Sequence, residues 1–450
     1  MAELRKIAVI DIGKTNAKVV LVDRLNGTNI DAHSIPNRVL STPPYPHYDT
    51  DGLWKFILAA LKQLQSKHGI DGISITTHGA AAALVNAEGL VLPVLDYEFD
   101  GPEAVAPDYA PPEFSETLSP RLPVGLNLGA QIFWQSKTFR SAFAQATAIL
   151  MYPQFWAWKL TGVMASEVTS LGTHTDLWNP ERAAFSSLVE RENWTGLFPP
   201  MQPAVSVLGP ILPELAAQVG LPSGTPVACG IHDSNASLLP YLKAGPLTII
   251  SSGTWTIVMT IGGDTSRLDP SRDCLANVDA FKRPVPTARF MGGREYEVLM
   301  DGNVARAGLA DIQAALDTGQ MVMPGWAVGV GPFPVAKGRW LGAFRTDAER
   351  AAAVVLYMAL MSQTCLSLAG VGEAIVVEGP LAKNQIYCGI LAALTGKPIY
   401  RSGDATGTSN GAAMLFGLTK HTDLGALTEP LDLRGLQNYT ADWAAKAAAI

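Results

Sequence analysis

The sequence predicts an α/β protein of two domains that face one cleft. Three observations carry this. At 450 residues the chain is long enough for two or three domains of about 150 residues each. Short β-branched strands are interspersed with apolar-striped helices, the pattern of sheets covered by helices. A hairpin with a glycine- and hydroxyl-bearing tip also occurs twice. Laid over each other, Ile10 falls on Ile250, Asp11 on Ser251 and Gly13 on Gly253. Such a long-range repeat points to duplicated domains, here drawn at residues 1–245 and 246–450.

The elements follow in order. Residues 7–23 read as the first hairpin, two apolar runs around the tip Asp11-Ile12-Gly13-Lys14-Thr15-Asn16. Residues 26–50 are turn-rich. From Asp51, Leu53, Trp54, Ile57, Leu58, Leu61 and Leu64 recur at three and four, one stripe of a helix. Residues 70–77 form a strand ending at His78-Gly79, and residues 82–85 a second. The polar and aromatic run Asp96-Tyr97-Glu98-Phe99-Asp100 comes next. Residues 101–125 are a proline-rich loop, residues 127–150 a helix, and residues 156–160 a helix stopped by Thr161-Gly162. Residues 163–200 are irregular. A short strand then ends at Cys229-Gly230, followed by Ile231-His232-Asp233-Ser234-Asn235.

Residues 247–263 form the second hairpin, and residues 264–345 carry the weakest pattern. Thr346-Asp347 caps a long helix to Ala369, stopped by Gly370. A strand at 373–378, a turn at 379–383, a helix at 384–395 and a strand at 398–400 follow. Gly407-Thr408-Ser409-Asn410-Gly411 opens a small-residue helix running to Leu418.

Composition excludes some functions. Net charge is −7 with no basic run, so the clustered Lys and Arg of a nucleic-acid binder are missing. The four cysteines, at 229, 274, 365 and 388, form no CxxC pair, which fits neither a metal site nor a disulfide framework. A reduced, cytoplasmic setting is expected. No signal-peptide region is read at the N-terminus, and no stretch reads as a membrane span of about 20 apolar residues.

Candidate chemistry lies at the loops. Asp233 follows a strand end, where open sheets place their ligands, and suits proton abstraction. The same residue type also caps helices. At the first tip, Gly13 lets the backbone approach a phosphate while Thr15 and the amides donate to its oxygens; a plain turn reads the same way. His78 is either a strand-end residue or a substrate contact. Tyr97 and Trp134 are either core or substrate contacts, and Glu98 and Asp100 also read as a solvated loop.

Four stretches, in this order, resemble the FGGY family of carbohydrate kinases. They are Asp11-Ile12-Gly13-Lys14-Thr15-Asn16-Ala17-Lys18, then Gly224-Thr225-Pro226-Val227-Ala228-Cys229-Gly230-Ile231-His232-Asp233. Ser251-Ser252-Gly253-Thr254-Trp255 and Val377-Glu378-Gly379-Pro380-Leu381-Ala382-Lys383-Asn384 follow. Residues 155–162 and Glu167-Val168-Thr169 look like further family landmarks. The resemblance covers most of the chain and is thinnest over 264–345. It implies two ribonuclease-H-like (actin-like ATPase) domains flanking a central cleft. It also implies transfer of the ATP γ-phosphoryl group, with Mg²⁺, to a primary hydroxyl of a sugar.

Thr15-Asn16, His232-Asp233 and Ser252-Gly253-Thr254-Trp255 are most similar to the L-fuculose and L-rhamnulose kinases. That implies a 6-deoxy-ketohexose. A pentulose such as ribulose or xylulose, or a polyol such as glycerol or erythritol, is the alternative. A non-catalytic sugar or nucleotide sensor, or an actin-like filament or chaperone ATPase, is further off. The resemblance assigns Asp233 as general base and Asp11 as the magnesium carboxylate. It places the phosphates on Gly13, Lys14, Thr15, Asn16, Lys18, Gly253 and Thr254, and the adenosine on Gly379, Pro380 and Asn384. The sugar falls to His78, Tyr97, Glu98 and Asp233. Sugar and ATP are the only partners implied; nucleic acid and membrane are not, and a homodimer is left open. Two residues depart from the family pattern: Ala81 stands where those kinases carry an acid, and Pro380 enters a loop that is usually glycine.

Overall fold

The computed structural model describes residues 4–403, 407–417 and 423–449. The chain divides into two compact units. The first is Met1–Leu242, Asn277–Pro284 and Thr406–His421; the second is Lys243–Ala276, Val285–Ala405 and Thr422–Ile450.

The first unit is built on one mixed sheet. Its strands lie in the order Val207–Pro210, Pro226–Ala228, Gly72–Thr77, Lys6–Ile12, Asn16–Asp23, Thr28–Pro36. Lys6–Ile12 pairs antiparallel with Asn16–Asp23, closing the expected hairpin, and parallel with Gly72–Thr77. Both central strands are buried almost throughout, which is why they read as continuous β-branched runs. The helix Thr50–His68 lays Leu53, Ile57, Leu58, Leu61 and Leu64 into the core. Each such side chain contributes about 1.5–3 kcal/mol on burial. Asp49 caps it by accepting the Gly52 N–H at 2.8 Å, and Gly69, at φ 78°, ends it.

Two stretches of this unit differ from expectation. Within the turn-rich 26–50 segment, Thr28–Pro36 is a nine-residue strand. It is a sheet edge with mostly exposed, polar side chains, so it carries no apolar alternation to read. Within 127–150 the helix breaks into Leu128–Thr138 and a short Arg140–Phe143, and Ala148–Met151 is a strand paired with Ala82–Asn86. Four buried apolar residues, Ala-Ile-Leu-Met, fit either period.

The second unit repeats the plan. Its strands run Cys274–Val278, Pro284–Phe290, Thr256–Thr260, Leu247–Ser252, Ala374–Glu378, Ile399–Arg401, Ala426–Thr428. Taken from Pro284–Phe290, the pairings are antiparallel, antiparallel, parallel, parallel, antiparallel. Taken from Thr28–Pro36, the first sheet gives the same series. The repeat seen in two hairpins therefore extends over six strands. The poorly patterned 264–345 segment holds two of these sheet strands, the helices Gly292–Met300 and Leu309–Thr318, and a small strand pair at Met321–Met323 and Arg339–Leu341.

By length and composition helix Asp347–Ala369 is apolar enough to cross a membrane, but most of it is buried inside the fold. Its apolar faces are those of a core helix packed on several sides. All four cysteines are buried free thiols. The small-residue helix is Gly407–Ala413, continued by a 3₁₀ turn at Met414–Phe416; its expected end at Leu418 lies outside the described residues.

Candidate active site

The C-terminal ends of the central strands of the first unit gather the expected residues. Asp11 is the last residue but one of the buried strand Lys6–Ile12 and stands opposite Lys18 in the hairpin register. Its Oδ2 accepts from Ser409 Oγ at 2.8 Å and pairs with Lys18 Nζ at 3.1 Å. Past it the tip closes through Gly13 N–H to Asn16 O at 2.9 Å. Asn37 steadies the turn, donating through Nδ2 to Gly13 O at 2.8 Å and through its backbone N–H to Thr15 O. Thr15 and Asn16 are the exposed residues of the tip. The Lys14 ammonium is turned away from it. Lys14 Nζ donates to Asp96, lies 3.3 Å from Glu98 Oε2, and sits over the rings of Tyr97 (4.7 Å) and Tyr48 (5.2 Å).

Asp233 is positioned by backbone geometry. Gly230, at φ 91°, makes the break after the Pro226–Ala228 strand. A Cβ there would stand 3.0 Å from Pro153 Cβ and 3.2 Å from Ile75 O, so glycine meets both a steric and a conformational demand. Gln154 Nε2 donates to the carbonyls of Cys229 and Gly230 at 3.0 and 3.2 Å. Ile231-His232 then rejoins the sheet beside Thr76-Thr77. His232 is the N-cap residue and Asp233 the first residue of the helix Asp233–Leu238. The cap position thus falls one residue before the carboxylate, whose Oδ1 accepts the Ser234 N–H at 2.6 Å and lies 3.3 Å from His232 Nε2.

Electrostatics separate the titratable groups. Burial raises the Asp233 carboxyl to about 6, the negative charge of Asp11 adds to the rise, and His78 and Ser234 oppose it. About a third of its side chain stays open to solvent. Burial lowers both His78 and His232 to about 4, so both are neutral at pH 7. His78 Nδ1 donates to Gly79 O at 2.8 Å. Its Nε2 is buried and has no hydrogen-bond partner among the described residues, leaving an imidazole acceptor for a ligand hydroxyl. The His78 ring is enclosed by Tyr48, Tyr152 and Tyr97 at 5.0, 5.3 and 5.5 Å. Burial pushes the Tyr97 phenol up, and the charges of Glu98 and Asp233 push it further.

Not every candidate joins this group. Trp134 packs in the core against Tyr45, Phe99 and Phe139. Asp100 is exposed beside a 3₁₀ turn at Gly101–Val105. Other residues were not foreseen. Asp96, buried and bonded to Lys14 and the Tyr48 hydroxyl, was hidden in a run that also reads as loop. Thr169 accepts the His232 N–H at 3.0 Å, and its own hydroxyl donates to Glu167 Oε2 at 2.5 Å. Burial raises that wholly buried Glu167 to about 7.

In the second unit, Gly253 and Thr254 form the exposed tip of the other hairpin, closed by Gly253 N–H to Trp255 O at 2.8 Å. Gly379, at φ 76°, lies so near Ser252 that a Cβ would fall 2.0 Å from its carbonyl oxygen. Pro380 occupies the first position of a short 3₁₀ helix, where its missing N–H takes nothing from the helix. The next N–H, of Leu381, donates to Ser252 Oγ at 3.0 Å. The Asn384 side chain accepts the Tyr387 N–H and caps the helix Gln385–Thr395.

Comparison with known proteins accords with these motifs. Residues 124–240 match the N-terminal domain of the FGGY family of carbohydrate kinases, and residues 244–424 match the family's C-terminal domain. A carbohydrate kinase from Novosphingobium aromaticivorans superposes with a TM-score of 0.92 at 37% identity, covering 99% of both chains. The chain belongs to the FGGY family of carbohydrate kinases. Its fold is the family's pair of ribonuclease-H-like domains. L-fuculokinase from Salmonella typhi is 27% identical over 288 residues, and the match covers 60% of each chain. The L-xylulose/3-keto-L-gulonate kinase of Escherichia coli is 25% identical over 274 residues, 56% of this chain and 53% of that one. The chain thus spans about 60% or less of the length of these curated relatives. Against the FGGY pattern, Ala81 is buried in the core cluster of the first unit, so the acidic position of relatives is here an apolar one.

Proposed function

We infer that the protein is an ATP-dependent sugar kinase that phosphorylates a primary hydroxyl of a ketose, a 6-deoxy-ketohexose such as L-fuculose or L-rhamnulose. The observation that carries this reading is Asp233. It is a carboxylate at the end of the central sheet with its pKa raised to about 6, beside a neutral histidine and a tyrosine-lined wall. The similarity to L-fuculokinase favours the deoxy-ketohexose. The similarity to L-xylulose/3-keto-L-gulonate kinase favours a pentulose as the second reading.

In this mechanism the sugar hydroxyl donates to Asp233. As its oxygen attacks the γ-phosphorus, the proton passes to the carboxylate, the new P–O bond forms, and the bond to the ADP oxygen breaks. Such base assistance is worth roughly 10²–10⁴ in rate; the rest comes from positioning and charge. His78 Nε2 accepts a second sugar hydroxyl, while Tyr97 and Glu98 line the sugar. Gly13, Thr15, Asn16 and Lys18 serve phosphate oxygens in residues 1–245. In residues 246–450, Gly253 and Thr254 serve phosphate, and Gly379, Pro380 and Asn384 the adenosine side. The donor set of Asp11 suits magnesium, which keeps most of its water and needs only one or two carboxylates; Asp11 offers a nearly buried carboxylate with one oxygen already committed to Ser409 and Lys18. When bound, the ion supplies neutralisation of phosphate charge.

The test is ADP release with Mg-ATP across deoxy-ketohexoses, pentuloses and polyols. Turnover dependent on a ketose supports the reading. Turnover of ATP indifferent to every acceptor refutes it.

A further inference from the structure

We propose that Lys14 is a specificity-determining residue of the acceptor side rather than a phosphate ligand, and that the acceptor it selects is uncharged. The proposal rests on the kinase reading above. A lysine between Gly13 and Thr15, at the tip of a phosphate-type hairpin, reads as a point charge for phosphate. The geometry puts the charge elsewhere. The side chain bends back along the unit, and its ammonium ends between Asp96 and Glu98 and on the faces of Tyr97 and Tyr48.

Asp96 is fixed in place from three sides. It is buried, it takes the Lys14 ammonium, and it accepts from the Tyr48 hydroxyl and the Glu98 backbone N–H, each at 3.3 Å. A carboxylate so held does not swing away to free the lysine for phosphate. Tyr97 ties this cluster to the candidate base. Its ring lies under the ammonium, meets His78 edge-on, and feels the charge of Asp233. Lys14, Tyr97, His78 and Asp233 are therefore linked as neighbours, ammonium to ring, ring to imidazole, and both rings within the field of the carboxylate.

The charges decide the chemical class. One ammonium stands against the carboxylates of Asp96 and Glu98, with the Asp233 carboxylate beyond. A neutral ketose or polyol finds paired donors and acceptors there. A sugar acid brings a further negative charge into a group that is already net negative, and like charges at short range repel.

Steady-state kinetics test this, with L-fuculose and L-xylulose as neutral acceptors and 3-keto-L-gulonate as the anionic one. Lys14→Met keeps the aliphatic stem and removes the ammonium. It is expected to raise KM for the neutral acceptors tenfold or more while KM for ATP stays within twofold. Lys14→Arg, which keeps the charge, is expected to recover part of the loss. The wild-type protein is expected to favour the neutral acceptors at least tenfold in kcat/KM. Asp96→Asn, which unmasks the ammonium, is expected to narrow that preference. A rise in KM for ATP, or a fall in kcat, with acceptor KM unchanged would return Lys14 to the phosphates and overturn the proposal. A lowered melting temperature with all kinetic constants unchanged would reduce Lys14 to a structural strut, and a wild-type preference for the keto-acid would remove the charge argument. If the wild-type protein turns over none of these acceptors and no ketose or polyol in the ADP-release screen, the kinase reading fails, and this proposal with it.

Discussion

The pH dependence of turnover follows directly from the surroundings of Asp233. Its carboxyl loses its proton at about 6, where an ordinary aspartate does so at 3.8. A general base must be ionised, so kcat/KM rises as pH rises through about 6 and levels off above 7. One unit below that pKa only about a tenth of the carboxyl is ionised, so kcat/KM at pH 5 is expected at about one-tenth of the plateau. An unshifted aspartate would lose under about 10% over the same range. His78 and His232 titrate near 4 and leave that window to Asp233. ADP formation in fixed-time samples from pH 5 to 8, at saturating Mg-ATP and limiting acceptor, reads the curve. Asp233→Asn is expected to be slower by roughly 10²–10⁴ and to lose the dependence. A flat wild-type profile, or a variant within a few-fold of wild type, would take Asp233 out of the role of base.

Three further outcomes are expected. Glu167 is wholly buried and its folded pKa is raised from 4.5 to about 7. Its neutral form therefore supports folding below pH 4.5, and that support is lost as pH rises through about 7. A shift of this size corresponds to about 3 kcal/mol at most, so Glu167→Gln is expected to raise stability in urea melts at pH 8 by about 1–3 kcal/mol and by far less at pH 4.5. In Gly411→Ala, the new Cβ would lie 1.8 Å from Ala236 O, in the helix that begins with Asp233. Backbone must shift, and a displacement of that order lowers kcat by roughly tenfold to a hundredfold with the circular-dichroism spectrum retained. Gly379→Ala combines a left-handed φ of 76° with a Cβ 2.0 Å from Ser252 O. It is expected to cost about 1–3 kcal/mol of local strain and to raise KM for ATP, read by thermal melting and ATP titration.

Much of the fold was legible because its signals are local. The stripe of Thr50–His68, the cap at Thr346, the stop at Gly162 and both hairpins each depend on residues within a few positions of one another. The edge strand Thr28–Pro36 was not legible, because it is defined by pairing with Asn16–Asp23 and not by its own side chains. The strand Ala148–Met151 was hidden for the opposite reason: a fully buried run has no polar phase.

Gly13 and Asp233 could be singled out from the sequence because they stand at a turn and at a strand end, whereas Asp11 and Gly379 were assigned through the family resemblance of the stretches that hold them. Tertiary structure alone decided that Ser409, 398 residues from Asp11, bonds its carboxylate. It alone decided that Glu167 and Thr169 brace the backbone before Asp233, and that Lys14 pairs with Asp96, 82 residues further along the chain. Those partners meet because parallel strand crossovers bring distant loops to one sheet end. No local spacing records such a meeting, since its specificity lies in burial and charge.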